Sequence, residues 1–206
     1  MGFIFRYLFF LILIFSPLGL KAQDSINIKR RFIEKGFLLG IGYGLDNYDL
    51  PEGRYMPIFF MGHFGMDLKK IKNRMKEDAI FTMYFEPQIN PVLIKTKEST
   101  KSQLEFGVNI GFKHMYPLCK NIYSYILIGS GPHYFTTNTT RQARGFIFSD
   151  NFGAGFYFFK GTKISMNLGF RLRHMSNANT RTPNHGINTY NYHLGVSKII
   201  RGKYQK

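Results

Sequence analysis

The chain has 206 residues, a formal charge of +16 and a single cysteine, Cys119, so no internal disulfide can form and its length after a leader is that of one domain. Phe (22), Tyr (13) and Gly (21) are abundant and Trp is absent, which fits many short extended runs better than a helical core. A basic balance raises nucleic acid as a partner.

Residues 1–22 redirect that expectation. Arg6 precedes the apolar run 7–15, and Pro17 and Gly19 break it ahead of Ala22. This is the pattern of a secretory signal peptide, and it is short for a spanning helix. Residues 23–206 are then expected to form a single exported domain. Loss of Arg6 and Lys21 lowers the charge to +14, and the expected counterpart is an anionic lipid, phospholipid or lipopolysaccharide.

Eight strands are expected, over residues 36–45, 55–66, 80–89, 103–115, 123–135, 145–158, 163–176 and 188–199. In the first, Phe37, Leu39, Ile41 and Tyr43 oppose glycines. The second is apolar on both faces. In the third, Phe81, Met83, Phe85 and Ile89 oppose Thr82, Tyr84, Glu86 and Gln88. In the fourth, Leu104, Phe106, Val108, Ile110 and Phe112 oppose Gln103, Glu105, Gly107, Asn109 and Lys113. The fifth is mixed, with Pro132 near its end. The sixth aligns Phe146, Phe148, Phe152, Phe156 and Phe158. The seventh alternates Ile164, Met166, Leu168, Phe170, Leu172, His174 and Ser176 against Ser165, Asn167, Gly169, Arg171, Arg173 and Met175. The eighth aligns Tyr190, Tyr192, Leu194 and Val196.

A β-sandwich or a lipocalin-like barrel also alternates, but with its apolar face inward. Here the polar face holds glycine and charge (Glu86, Glu105, Lys113, Arg171, Arg173), which suits a narrow lumen where ions pair. The phenylalanine-rich face suits lipid. The expected fold is therefore all-β: an eight-stranded antiparallel transmembrane β-barrel of the bacterial outer membrane. With both termini on the periplasmic side, the seventh strand runs outward and ends at the external rim. The charged connection 67–79 and the polar loop 96–102 are expected between strands, and Gly161 is expected in a tight turn.

His174 and Ser176 then share the lipid-facing side at that rim. Their Cβ atoms stand about 7 Å apart, within reach of an imidazole-to-hydroxyl bond. A serine needs an adjacent base to become a nucleophile, so the pair points to ester chemistry on a lipid. Spacing alone is a weak signal, because a rim histidine and serine also occur simply as interface residues.

The string H-x-S-N-A at 174–178, followed by P-N-x-G at 183–186, resembles the lipid A 3-O-deacylase family of outer-membrane enzymes. Gly129-Ser130-Gly131-Pro132, the stretch QARGFIF at 142–148 and Gly153-Ala154-Gly155 also resemble that family. The resemblance implies an eight-stranded barrel that removes the 3-O-linked acyl chain of lipid A. It implies Ser176 as nucleophile, His174 as general base, and lipopolysaccharide as the partner in the outer membrane. It assigns Asn177 and Asn184 either to the oxyanion or to ordering of the rim loop, where asparagine is common for turn chemistry alone.

Two positions depart from the family pattern. The third catalytic member is a glutamate fourteen residues after the histidine, and here that position is Asn188. An amide oxygen still fixes the tautomer but brings no negative charge. The glycine after H-x-S-N-A is Asn179. Asp150 is a candidate replacement acid, but pairing through a tight turn at Gly161 is expected to put it several residues below His174. No cofactor fingerprint is present. His63, His114, His133, His185 and His193 show no metal-ligand spacing. A non-catalytic structural or adhesive barrel is the competing reading, with Asn188 in its favour. A pore is disfavoured because eight strands leave a lumen filled by side chains.

Overall fold

The computed structural model describes residues 32–44, 53–68, 79–95, 99–160 and 164–199. The expected signal segment 1–22, most of the connection at 67–79 and the turn at Gly161 lie outside the described residues.

The strands are β1 (Phe32–Gly44), β2 (Arg54–Asp67), β3 (Ile80–Lys95), β4 (Thr100–Cys119), β5 (Ile122–Ser130), β6 (Pro132–Phe135), β7 (Gly145–Lys160), β8 (Ile164–Ser176) and β9 (Ile187–Ile199). All neighbours are antiparallel, and pairing of β1 with β9 and of β3 with β4 closes the sheet into a ring. Closure satisfies every strand edge, the condition a sheet must meet in lipid.

The expected fifth strand is split in two at Gly131. β5 and β6 nonetheless keep one register against β4 and against β7 on either side of the break, so they form one wall of an eight-walled barrel. A Cβ at Gly131 would lie 1.8 Å from the Val108 carbonyl oxygen, so only glycine lets the two backbones approach here.

The face assignment follows the period of two. Phe37, Leu39, Ile41, Phe152, Phe156, Leu168 and Leu194 are exposed on the outer wall, while Glu34, Glu86, Glu105, Lys113, Arg171 and Arg173 are buried in the lumen. The ambiguous second strand resolves the same way, with Tyr55, Phe59, Met61 and His63 inward and Phe60 outward.

The buried charges are paired, as a low dielectric demands. Arg171 grips Glu86 with two bonds of 2.5 and 2.9 Å, and His63 Nδ1 lies 2.8 Å from the same carboxylate. Glu105 is held by Arg173, by His133 Nδ1 at 2.7 Å, by Asn90 at 3.0 Å and by the Tyr55 hydroxyl at 2.9 Å. Lys113 pairs with Glu34, which also accepts a bond from the Tyr157 hydroxyl at 2.7 Å. A lumen void lined by Phe59, Gln88, Arg171 and Asn191 holds about 10 Å³. That is about the smallest space a single water can occupy.

Three apolar clusters also face inward, which the period-two reading of a polar lumen did not anticipate; the smallest is Leu38, Phe59 and Met61, and two are larger. One joins Tyr55, Val92, Ile94, Phe135, Ile147, Met175 and Ile187, and the other centres on Tyr84, Tyr125, Tyr157 and Phe159. The start of β4 at Thr100 shortens the polar loop expected at 96–102, and β3 runs past its expected end at Ile89 to Lys95. The reason is that Val92 and Ile94 continue the alternation into the first of the two larger clusters.

Candidate active site

Two consecutive registers assemble one row of side chains on the outer wall. Asp150 in β7 is paired with His174 in β8, and His174 with Asn188 in β9. Ser130, at the end of β5, donates to Asp150 Oδ1 at 2.5 Å. Met175 and Ile187, the odd neighbours, are fully buried in the lumen behind this row. The wall therefore presents the polar groups on one side and anchors them with apolar groups on the other.

His174 Nδ1 lies 2.6 Å from Asn188 Oδ1. An amide oxygen only accepts, so this bond places the ring proton on Nδ1 and leaves Nε2 as the basic nitrogen. Ser176 is half-buried on the same outer face, two positions along β8. Among the described residues no hydrogen bond joins it to His174. Catalytic hydrogen bonds are often long in unliganded enzymes and tighten only with substrate.

Beyond β8 the chain forms the loop 177–186. Asn177 is buried; its N–H donates to Asn184 Oδ1 at 2.8 Å and its amide nitrogen donates to the Arg181 carbonyl at 2.8 Å. The Asn184 amide donates to Asn179 Oδ1 at 2.8 Å. Both amide nitrogens are thus committed within the loop. Asn179 has φ 64°, a left-handed conformation that asparagine tolerates better than other side chains, which explains why it stands where the family carries glycine.

Two residues important to this geometry were not singled out by role from sequence. Gly186 has φ +70°, and a Cβ there would lie 2.6 Å from His174 Cε1 and 3.3 Å from Nε2. The ring edge that carries the basic nitrogen is open only because this residue has no side chain. Arg141 holds Gly186 in place, its Nε donating to the Gly186 carbonyl at 2.9 Å and its guanidinium to the His185 carbonyl at 3.1 Å. The loop 136–144 is tied to 177–186 by further backbone bonds, Ala143 to Pro183 (3.0 Å) and His185 to Arg141 (2.8 Å). These contacts join segments about forty residues apart, beyond the reach of any local motif.

Asp150 corrects an expectation. Lys160 pairs with Ile164, so three residues, 161–163, separate the strands, and this register puts Asp150 level with His174 rather than several residues below it.

The model of the lipid A 3-O-deacylase (PagL) family matches residues 69–197. The chain belongs to this family. Among solved structures, the barrel is similar to the outer membrane enzyme PagL, with 18% identity and a TM-score of 0.55 over 79% of this chain and 97% of that one. It is equally close in shape to Neisserial surface protein A, with 9% identity and a TM-score of 0.55 over 81% of this chain and 96% of that one. At these identities the likeness concerns the fold, that of the outer-membrane barrels. A search of curated proteins finds no match.

Along the same outer wall, a depression of about 690 Å³ is lined by Ile126, Ala154, Phe156, Leu168, Phe170 and Tyr192. It forms where Ala154 stands between Phe152 and Phe156 and leaves a gap in the aromatic coat.

Proposed function

We propose that this family member is an outer-membrane esterase that removes the ester-linked acyl chain at the 3-O position of lipid A. The observation that carries the reading is the 2.6 Å contact between His174 Nδ1 and Asn188 Oδ1, which leaves Nε2 basic on the wall that also presents Ser176. In this reading the loop end of β8 is the external rim, and lipopolysaccharide in the outer leaflet is the partner.

Ser176 Oγ attacks the ester carbonyl while His174 Nε2 takes its proton. The tetrahedral oxyanion collapses, the C–O bond to the sugar breaks, and His174 returns the proton to the departing sugar oxygen. Water repeats the sequence, and the fatty acid leaves. Asn188 keeps the imidazole in the working tautomer. Asn177 and Asn184 order the loop through their amide bonds to the Arg181 carbonyl and to Asn179. The depression along Phe170 and Leu168 offers an apolar path for the acyl chain beneath the rim.

The test is expression in a Gram-negative host whose lipid A carries a 3-O-acyl chain, with mass spectrometry of the extracted lipid A. Loss of one acyl group is expected, and Ser176→Ala and His174→Ala should each abolish it. An unchanged lipid A from correctly assembled protein would overturn the reading. It would favour a non-catalytic barrel, the alternative that Asn188 in place of the family's glutamate supports.

A further inference from the structure

Asp150 is a carboxylate on a wall otherwise coated with Phe, Leu and Ile, and among the described residues no lysine or arginine pairs with it. Such a charge is expensive to keep at a lipid-facing site without a task. Ser130 holds its Oδ1, leaving Oδ2 outside that bond. The register sets it directly across from His174, on the flank opposite Asn188. Side chains in directly opposed positions have Cβ atoms about 4.5–5.5 Å apart.

We infer that Asp150, oriented by Ser130, supplies to the His174 imidazole the negative charge that Asn188 lacks. This makes it a positioning residue for Ser176. The inference rests on the reading of His174 and Ser176 as base and nucleophile. Two neighbours then divide the work that one glutamate does in the family pattern: Asn188 fixes the tautomer through Nδ1, and Asp150 stabilises the ring once Nε2 has taken the serine proton. In this role Asp150 accepts no proton from the ring. Opposite unit charges about 6 Å apart, at an effective dielectric of about 20, correspond to roughly a 100-fold effect on rate.

The test uses the full-length barrel in detergent micelles and an alkyl fluorophosphonate probe. Ser176 Oγ attacks phosphorus, fluoride leaves, and the serine proton passes to His174, so the labelling rate reports nucleophile activation independently of lipid A. Asp150→Asn should label about 100-fold more slowly than the unmodified protein. Asn188→Glu placed in the Asp150→Asn background should return the rate to within about tenfold, a rescue that a purely structural role for Asp150 would not give. Ser130→Ala keeps the charge but loosens it; it should slow labelling less, and Asn188→Glu should again compensate. Retention of the folded, heat-modifiable band on gels checks assembly of each variant.

Asp150→Asn labelling at the unmodified rate would overturn the inference, as would a loss that Asn188→Glu does not repair. Absence of labelling in the unmodified protein would remove the nucleophile reading and the inference together. The predicted labelling pattern alongside untouched lipid A would remove only the substrate reading and leave the role of Asp150 standing.

Discussion

At the scale of single residues, the site depends on how closely the backbone comes to one imidazole. Gly186 sits against the Cε1–Nε2 edge of His174, where a methyl group would be 2.6 Å from carbon. Gly186→Ala is therefore expected to push the ring off Asn188 and to strain a residue at φ +70°. A displacement of about 1 Å at a reacting group costs on the order of 100-fold in rate, so acyl release should fall by about that much while the barrel still assembles. Mass spectrometry of lipid A beside a folding gel checks both halves, and undiminished release would mean that the ring does not need this approach. The sequence pointed to His174 and Ser176 by their shared strand face, and to Asn188 only through the family resemblance. The glycine's contact with the ring was not, because it is made by a loop whose course is set by Arg141, far away in sequence.

At the scale of elements, strands β3, β4 and β8 place their charges toward one another across the lumen. The alternation of β8 alone indicates that Arg171 and Arg173 share the polar side. It does not indicate that Arg171 meets Glu86 of β3 while Arg173 meets Glu105 of β4. Those pairings require the closed ring. Arg171→Met would leave Glu86 buried with His63 and Gln88 as its polar side-chain partners among the described residues. Loss of one member of a buried pair costs about 3–5 kcal/mol, so the urea midpoint of the refolded barrel should fall accordingly. A midpoint unchanged within error would show that the lumen relaxes around the lone carboxylate. The hairpin between β7 and β8 gives the same lesson: its register puts Asp150 level with His174 rather than several residues below it.

At the scale of the whole molecule, the barrel is a polar interior wrapped in an apolar coat, the reverse of a soluble fold. Leu168, Phe156 and Leu194 are exposed on that coat near mid-strand. A charge there meets hydrocarbon, and Leu168→Arg should destabilise the barrel in a bilayer by about 2–4 kcal/mol. Folding titrations into lipid vesicles measure this directly. An effect near zero would place Leu168 outside the hydrocarbon band.

The sequence by itself determined the class of fold, the outward face of every strand except the second and the mixed fifth, and the candidate pair His174 and Ser176. All three follow from a period of two and from residue chemistry, which are local properties of the chain. The apolar ends of the lumen escaped that reading because Val92, Ile94 and Ile187 at one and Phe159 at the other lie beyond the expected strand bounds yet point inward, and polarity alone cannot orient a strand whose inner face becomes greasy. Only the tertiary structure decided the register between strands. That register joins Ser130, Asp150, His174 and Asn188 into one row, because a row across a sheet is fixed by hydrogen bonding between backbones distant in sequence.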